Sequence, residues 1–177
     1  DFGDNYLYDS QHTVTDCANS TTFSNEFVKQ YQAICSEVDV ILKSICKELG
    51  NTSANSMPDY TNLILNQWSN LPNQKVRMNV IELQPFKNWS PNPAYNSPDW
   101  WSPYNRVKHE RLENFRDANL KNVANALAGL YILESYLVKF IGDRDNDLDI
   151  PNDISKLFEL INFQTNNTVA GHGLYLA

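Results

Sequence analysis

The segment from Ala118 to Ile141 constrains this chain more than any other. Leu120, Val123, Ala124, Leu127, Leu130, Tyr131, Leu137, Val138 and Ile141 recur at three- and four-residue spacing, the period of an amphipathic α-helix. Ala126, Ala128, Gly129, Ile132, Leu133 and Tyr136 fill the other side. A helix with so little solvent face must meet neighbours on more than one side, and its small residues permit close approach. It is therefore expected at the centre of a bundle. Asp117, with Asn119 near it, is expected to cap its start, and Gly142 stands where a left-handed stop is expected. Its length would permit a membrane span, but Asn, Lys and Glu interrupt it, so no membrane partner is expected.

The remaining elements are arranged around that helix. Ser24 starts a helical pattern through Phe27, Tyr31, Ile34, Cys35, Val38, Ile41, Leu42, Ile45 and Leu49, closed by Gly50. Met57-Pro58-Asp59 opens a second helix through Tyr60, Leu63, Ile64, Trp68 and Leu71, ended by Pro72, and the short loop between the two implies an antiparallel pair. At Val76, Met78 and Val80 the period changes to two, which predicts a short strand or extended arm. From Gln84 to Pro103 five prolines alternate with Phe86, Trp89, Tyr95, Trp100 and Trp101, so an ordered loop pinned by aromatic burial is expected. Ser155 to Phe163 reads as a short strand or one helical turn.

The fold expectation is an all-α antiparallel helical bundle with a small extended or β insertion and a Pro/aromatic-rich loop. One domain, 1–177, carries an irregular lead-in over about 1–22 and a peripheral tail over about 143–177. Ile34, Val38, Ile41, Leu127, Leu130 and Tyr131 are the expected core.

Composition bounds the chemistry. A net charge of −7 argues against broad, nonspecific nucleic-acid binding, which needs clustered Lys and Arg, but allows a local basic patch, and Arg106, Lys108 and Arg111 form the densest such cluster. Cys17, Cys35 and Cys46 are odd in number with no CxxC pair, which argues against a disulfide framework or zinc site and for a reducing, cytoplasmic setting. Cys35 and Cys46 fall on one helix face, as small apolar residues. The run Asp143 to Asp149 alternates carboxylates like a calcium loop, but Leu148 and Ile154 stand where the turn glycine and the bidentate glutamate belong. No metal and no cofactor are expected; His12 reads as a solvated side chain and His172 as a residue without a role.

The polar segment Tyr104-Asn105-Arg106-Val107-Lys108-His109-Glu110-Arg111 follows the tryptophan pair. On a helix His109 lies between Asn105 and Arg106, while Arg111 points away beside Lys108. Imidazole titrates near neutrality and guanidinium binds phosphate bidentately, so His109 with Arg106 and Asn105 is the candidate catalytic set, with Lys108 and Arg111 as nucleic-acid contacts. The competing reading is a structural helix in which Arg106 pairs with Glu110 and His109 meets the aromatic loop.

Pro85-Phe86, Trp89, the run from Trp100 to Arg111, and Asn119 to Leu130 resemble a group of uncharacterised bacterial proteins with the pattern WW-x-x-YN-x-VKH-x-R. The last long helices of that group resemble those of HEPN domains. The resemblance spans about residues 24–141. It implies an antiparallel helical bundle, a homodimer, and a metal-independent endoribonuclease of bacterial defence or toxin type, with RNA as substrate and a protein partner such as an antitoxin. The HEPN signature places four to six residues between Arg and His, whereas here Arg106 stands only two residues before His109. The alternative is a noncatalytic helical protein-interaction module whose His109 segment is structural.

Overall fold

The computed structural model describes residues 19–145 and 155–163. Two long helices form its frame, α1 (Asn25–Glu48) and α4 (Leu120–Arg144). Ser24 Oγ caps α1 by accepting from Phe27 N at 3.0 Å, and Gly50, at φ 85°, takes the left-handed conformation that ends it. Asn119 Oδ1 caps α4 from Asn122 N at 3.0 Å, in the role expected of Asp117. α4 does not stop at Gly142. Glycine permits a left-handed exit without forcing one, and the last turn is held by Lys139 on Asp143 at 2.9 Å and Arg144 on Glu48 at 2.7 Å.

α1 and α4 run parallel. Leu120 N donates to Thr22 O at 2.8 Å where both helices begin, and Arg144 meets Glu48 where both end. For this pair the expected antiparallel packing is corrected. Antiparallel neighbours follow from short connections, whereas here α2, two strands, the aromatic loop and α3 lie between and return the chain to the start of α1. The packed pair brings Ile34, Val38, Leu42, Ile45, Val123, Leu127, Leu130 and Tyr131 into one buried core, while Ile41, expected in the core, is only half-buried at its margin. By length and composition α4 could cross a membrane; 61% of that apolar window is buried inside the protein.

The all-α expectation is also corrected. β1 (Lys75–Met78), β2 (Ile81–Leu83) and β3 (Glu159–Ile161) form an antiparallel sheet in the order β2-β1-β3, with Val76 opposite both Leu83 and Leu160. Asn79, at φ 55°, turns the β1–β2 hairpin. Val76 and Met78 point inward and Lys75 and Arg77 outward, where Arg77 pairs with Glu159 at 2.9 Å. A lone hairpin is marginal in water, and the third strand that completes the sheet comes from residues expected in a peripheral tail. Beside β3, Phe158 stacks on Tyr131 at 5.5 Å, so this segment joins the core.

α2 (Met57–Gln67) ends before Leu71 and Pro72, which instead form a 3-10 turn over Leu71–Asn73. The Pro/aromatic segment is an ordered cover. Trp89 Nε1 donates to Thr61 Oγ1 on α2 at 2.7 Å, Trp100 Nε1 donates to Pro85 O at 2.9 Å, and Phe86 lies between the two indoles at 5.0 and 6.1 Å. Indole N–H groups buried this deeply need such acceptors, and these bonds fix the path of the loop.

Candidate functional site

The tryptophan pair leads directly into α3 (Trp101–His109), which begins three residues before Tyr104 and ends at His109. Tyr104 and Val107 form its buried face. The Tyr31 hydroxyl on α1 donates to the carbonyl of Trp100, and the Tyr31 and Tyr104 rings meet edge to face at 5.9 Å. Burial, then the neighbouring Cys35 and Asp117, pushes the Tyr31 phenol far above its ordinary range, so it is a fixed donor. α3 is thus wedged against α1 through its apolar side.

Its polar side points away from the core, and the structure distributes the candidate residues. The Arg106 guanidinium donates through Nε to Asp117 Oδ2 at 2.7 Å, not to Glu110 one turn on. Lys108 Nζ sits 5.8 Å from the Tyr104 ring centroid. Arg111 lies beyond the helix, in the turn, and Nη2 donates to Gln32 Oε1 on α1 at 2.8 Å. Asn105 is half-buried. His109, the last residue of α3, is exposed and makes no hydrogen bond or ion pair among the described residues. It is neither buried against Trp100 and Trp101 nor seated in a cleft with a free guanidinium.

Asn105, Arg106 and His109 lie three and four residues apart on α3 and so share one face, but Arg106 is engaged by Asp117 and Arg111 by Gln32. A general base and a phosphate clamp must face one reacting atom, and here each cation is drawn to a different neighbour. Two open clefts, of about 260 Å³ beside the sheet (Asn73, Gln74, Lys75, Glu82 and Asn162 among its walls) and about 230 Å³ at the start of α2 (Asn51, Ser53, Asp59 and Asn62), include none of these residues. Among the described residues no three His, Cys, Asp or Glu side chains are grouped to hold a metal. His12, Cys17, His172 and the calcium-like positions 146–154 lie outside the described residues.

Asp117 and Gln32 are the partners that sequence reasoning missed. Asp117 lies eleven residues from Arg106 across a turn, and Gln32 lies on another helix, so neither follows from a local helical period. The available signal was compositional: Asp117 is the acid just before the cap of α4, close enough in the chain to reach back to α3. No family model matches the chain, and neither a curated protein nor a solved structure matches it.

Proposed function

We propose that this protein is a noncatalytic helical protein-interaction module in which the segment Trp100 to Arg111 is structural. The observation that carries the reading is the commitment of the cations. Arg106 is neutralised by Asp117 and Arg111 is anchored on Gln32, so the guanidinium one turn from His109 is already paired with a carboxylate. The apolar half of the same motif supports the reading too, because Trp100, Tyr104 and Val107 lock the aromatic loop and α3 onto α1. In this reading the pattern is a folding device that joins the loop to the helical frame.

The experiment is RNA cleavage in excess chelator, with structured and single-stranded RNA, by the wild-type protein and by His109→Ala. Both are expected to leave the RNA intact and to melt together, since the exposed imidazole makes no hydrogen bond or ion pair among the described residues. Chelator-resistant cleavage by the wild type that His109→Ala abolishes would overturn the reading in favour of a metal-independent ribonuclease, because removing a general base costs orders of magnitude in rate.

A further inference from the structure

The cleft of about 260 Å³ beside the sheet opens where β1 begins and β3 ends. Gln74, between the 3-10 turn and β1, is only 4% exposed and yet forms part of its wall. Its Nε2 donates to Lys75 O at 2.9 Å and to Ile161 O at 2.8 Å, tying β1 to β3. Those two carbonyls fix which end of the amide is nitrogen, since an oxygen in that place would face two acceptors. Both amide hydrogens are therefore used, and Oε1 is left as an oriented acceptor with no hydrogen-bond partner among the described residues. Groups with unused capacity stand around it. Asn162, held at φ 50° just past β3, makes no hydrogen bond among the described residues. Asn73 donates through Nδ2 to Asn70 Oδ1 at 2.8 Å, which leaves its own Oδ1. Glu82 lies 3.8 Å from Lys75 and 3.7 Å from Arg77, close enough for ion pairs but too far for hydrogen bonds, so its carboxylate and the Lys75 ammonium keep acceptors and donors to offer.

We infer that this cleft binds a neutral polyhydroxylated ligand of monosaccharide size, a pyranose that is either free or the terminal sugar of a glycan. Lys75 and Arg77 are matched by Glu82 and Glu159, so no surplus charge selects an anion or a cation. Amides both donate and accept, as hydroxyls do. A ring with adjacent hydroxyls can therefore serve Gln74 Oε1, the Asn162 amide and the Lys75–Glu82 pair together. Half-buried Ile161 adds an apolar spot to the wall for the C–H face of the ring, and a few fixed polar groups beside such a surface are what orients a small ligand. No α3 residue lines the cleft, so this site stands apart from the interaction-module reading.

The test titrates the isotope-labelled whole protein with the methyl glycosides of glucose, galactose and mannose, beside cationic glucosamine and anionic gluconate, and follows amide resonances by nuclear magnetic resonance. At least one neutral glycoside is expected to shift the Gln74 side-chain amide and the backbone amides of Lys75 and Asn162 saturably, and to bind more tightly than either charged probe. An oligosaccharide ending in the same sugar separates the two sources: tighter binding assigns a glycan terminus, and equal binding the free sugar. Asn162→Gly, which keeps the left-handed backbone, and Glu82→Ala are each expected to weaken binding about three- to tenfold, the worth of one net hydrogen bond, with circular dichroism unchanged. No saturable shift with any glycoside, shifts confined to residues outside the cleft, a preference for glucosamine or gluconate, or unchanged affinity in both variants would overturn the inference. Ribonuclease activity in the separate chelator assay would remove the noncatalytic reading without moving these shifts.

Discussion

The indole of Trp100 lies directly against Gly129 of α4: a methyl group on Gly129 would sit 2.9 Å from Trp100 Cζ2 and 3.2 Å from Phe86 Cζ. Neither ring is free to retreat. Trp100 is held by its own Nε1 bond to Pro85 O and by the Tyr31 hydroxyl on its carbonyl, and Phe86 is closed in by Trp89. Gly129→Ala gains up to about 1 kcal/mol of helix propensity. Overpacking against an immobile ring costs about 1–3 kcal/mol, so we expect net destabilisation in urea unfolding. A more stable variant would show that the aromatic loop yields.

The hydroxyl of Tyr31 ties α1 to the start of α3. In Tyr31→Phe the Trp100 carbonyl keeps the Tyr104 amide, at 3.3 Å, and so is not wholly abandoned. The expected loss is about 0.5–1.5 kcal/mol, the range of a net hydrogen bond and not that of an orphaned buried group. Chemical denaturation of the purified variant measures it.

Leu127, at 6% exposure, belongs to the buried core that α1 and α4 share. Leu127→Ala should cost about 2–5 kcal/mol, as buried large-to-small changes do. A melting temperature within error of wild type would mean that the seam repacks around the gap.

Glu134 supplies a pH test. Its folded carboxyl is raised above the ordinary value of 4.5, first by desolvation and then by Glu37, so the folded chain holds that proton more tightly than the unfolded chain. The contribution of Glu134 to stability is therefore greatest below the ordinary value and falls as pH rises through the raised one. Glu134→Gln should melt higher than wild type at neutral pH, and the advantage should vanish in acid below the ordinary glutamate range. Because the side chain is exposed, solvent screening keeps the gain small. Equal melting at every pH would dismiss the repulsion from Glu37.

Two kinds of information separate along this chain. Local period and end signals determined α1 with its ends and the apolar run of α4: the stripes of Ile34 to Ile45 and Leu120 to Tyr136, Ser24 and Gly50 each act within a turn or two of the residue that needs them, whereas the ends of α4 fell at Asn119 and Arg144 and not at Asp117 and Gly142. Proline density likewise determined the ordered loop, since no long helix tolerates it. The candidate site was legible as a list of residues but not as a geometry. Whether Arg106 aids His109 depends on a competing carboxylate eleven residues away, and the place of Arg111 depends on Gln32 of another helix. Tertiary structure alone also decided that α1 and α4 run parallel and that β3 completes a sheet with β1. Both relations join residues separated by more than seventy positions, and their energy lies in surfaces buried only after the intervening chain has folded back.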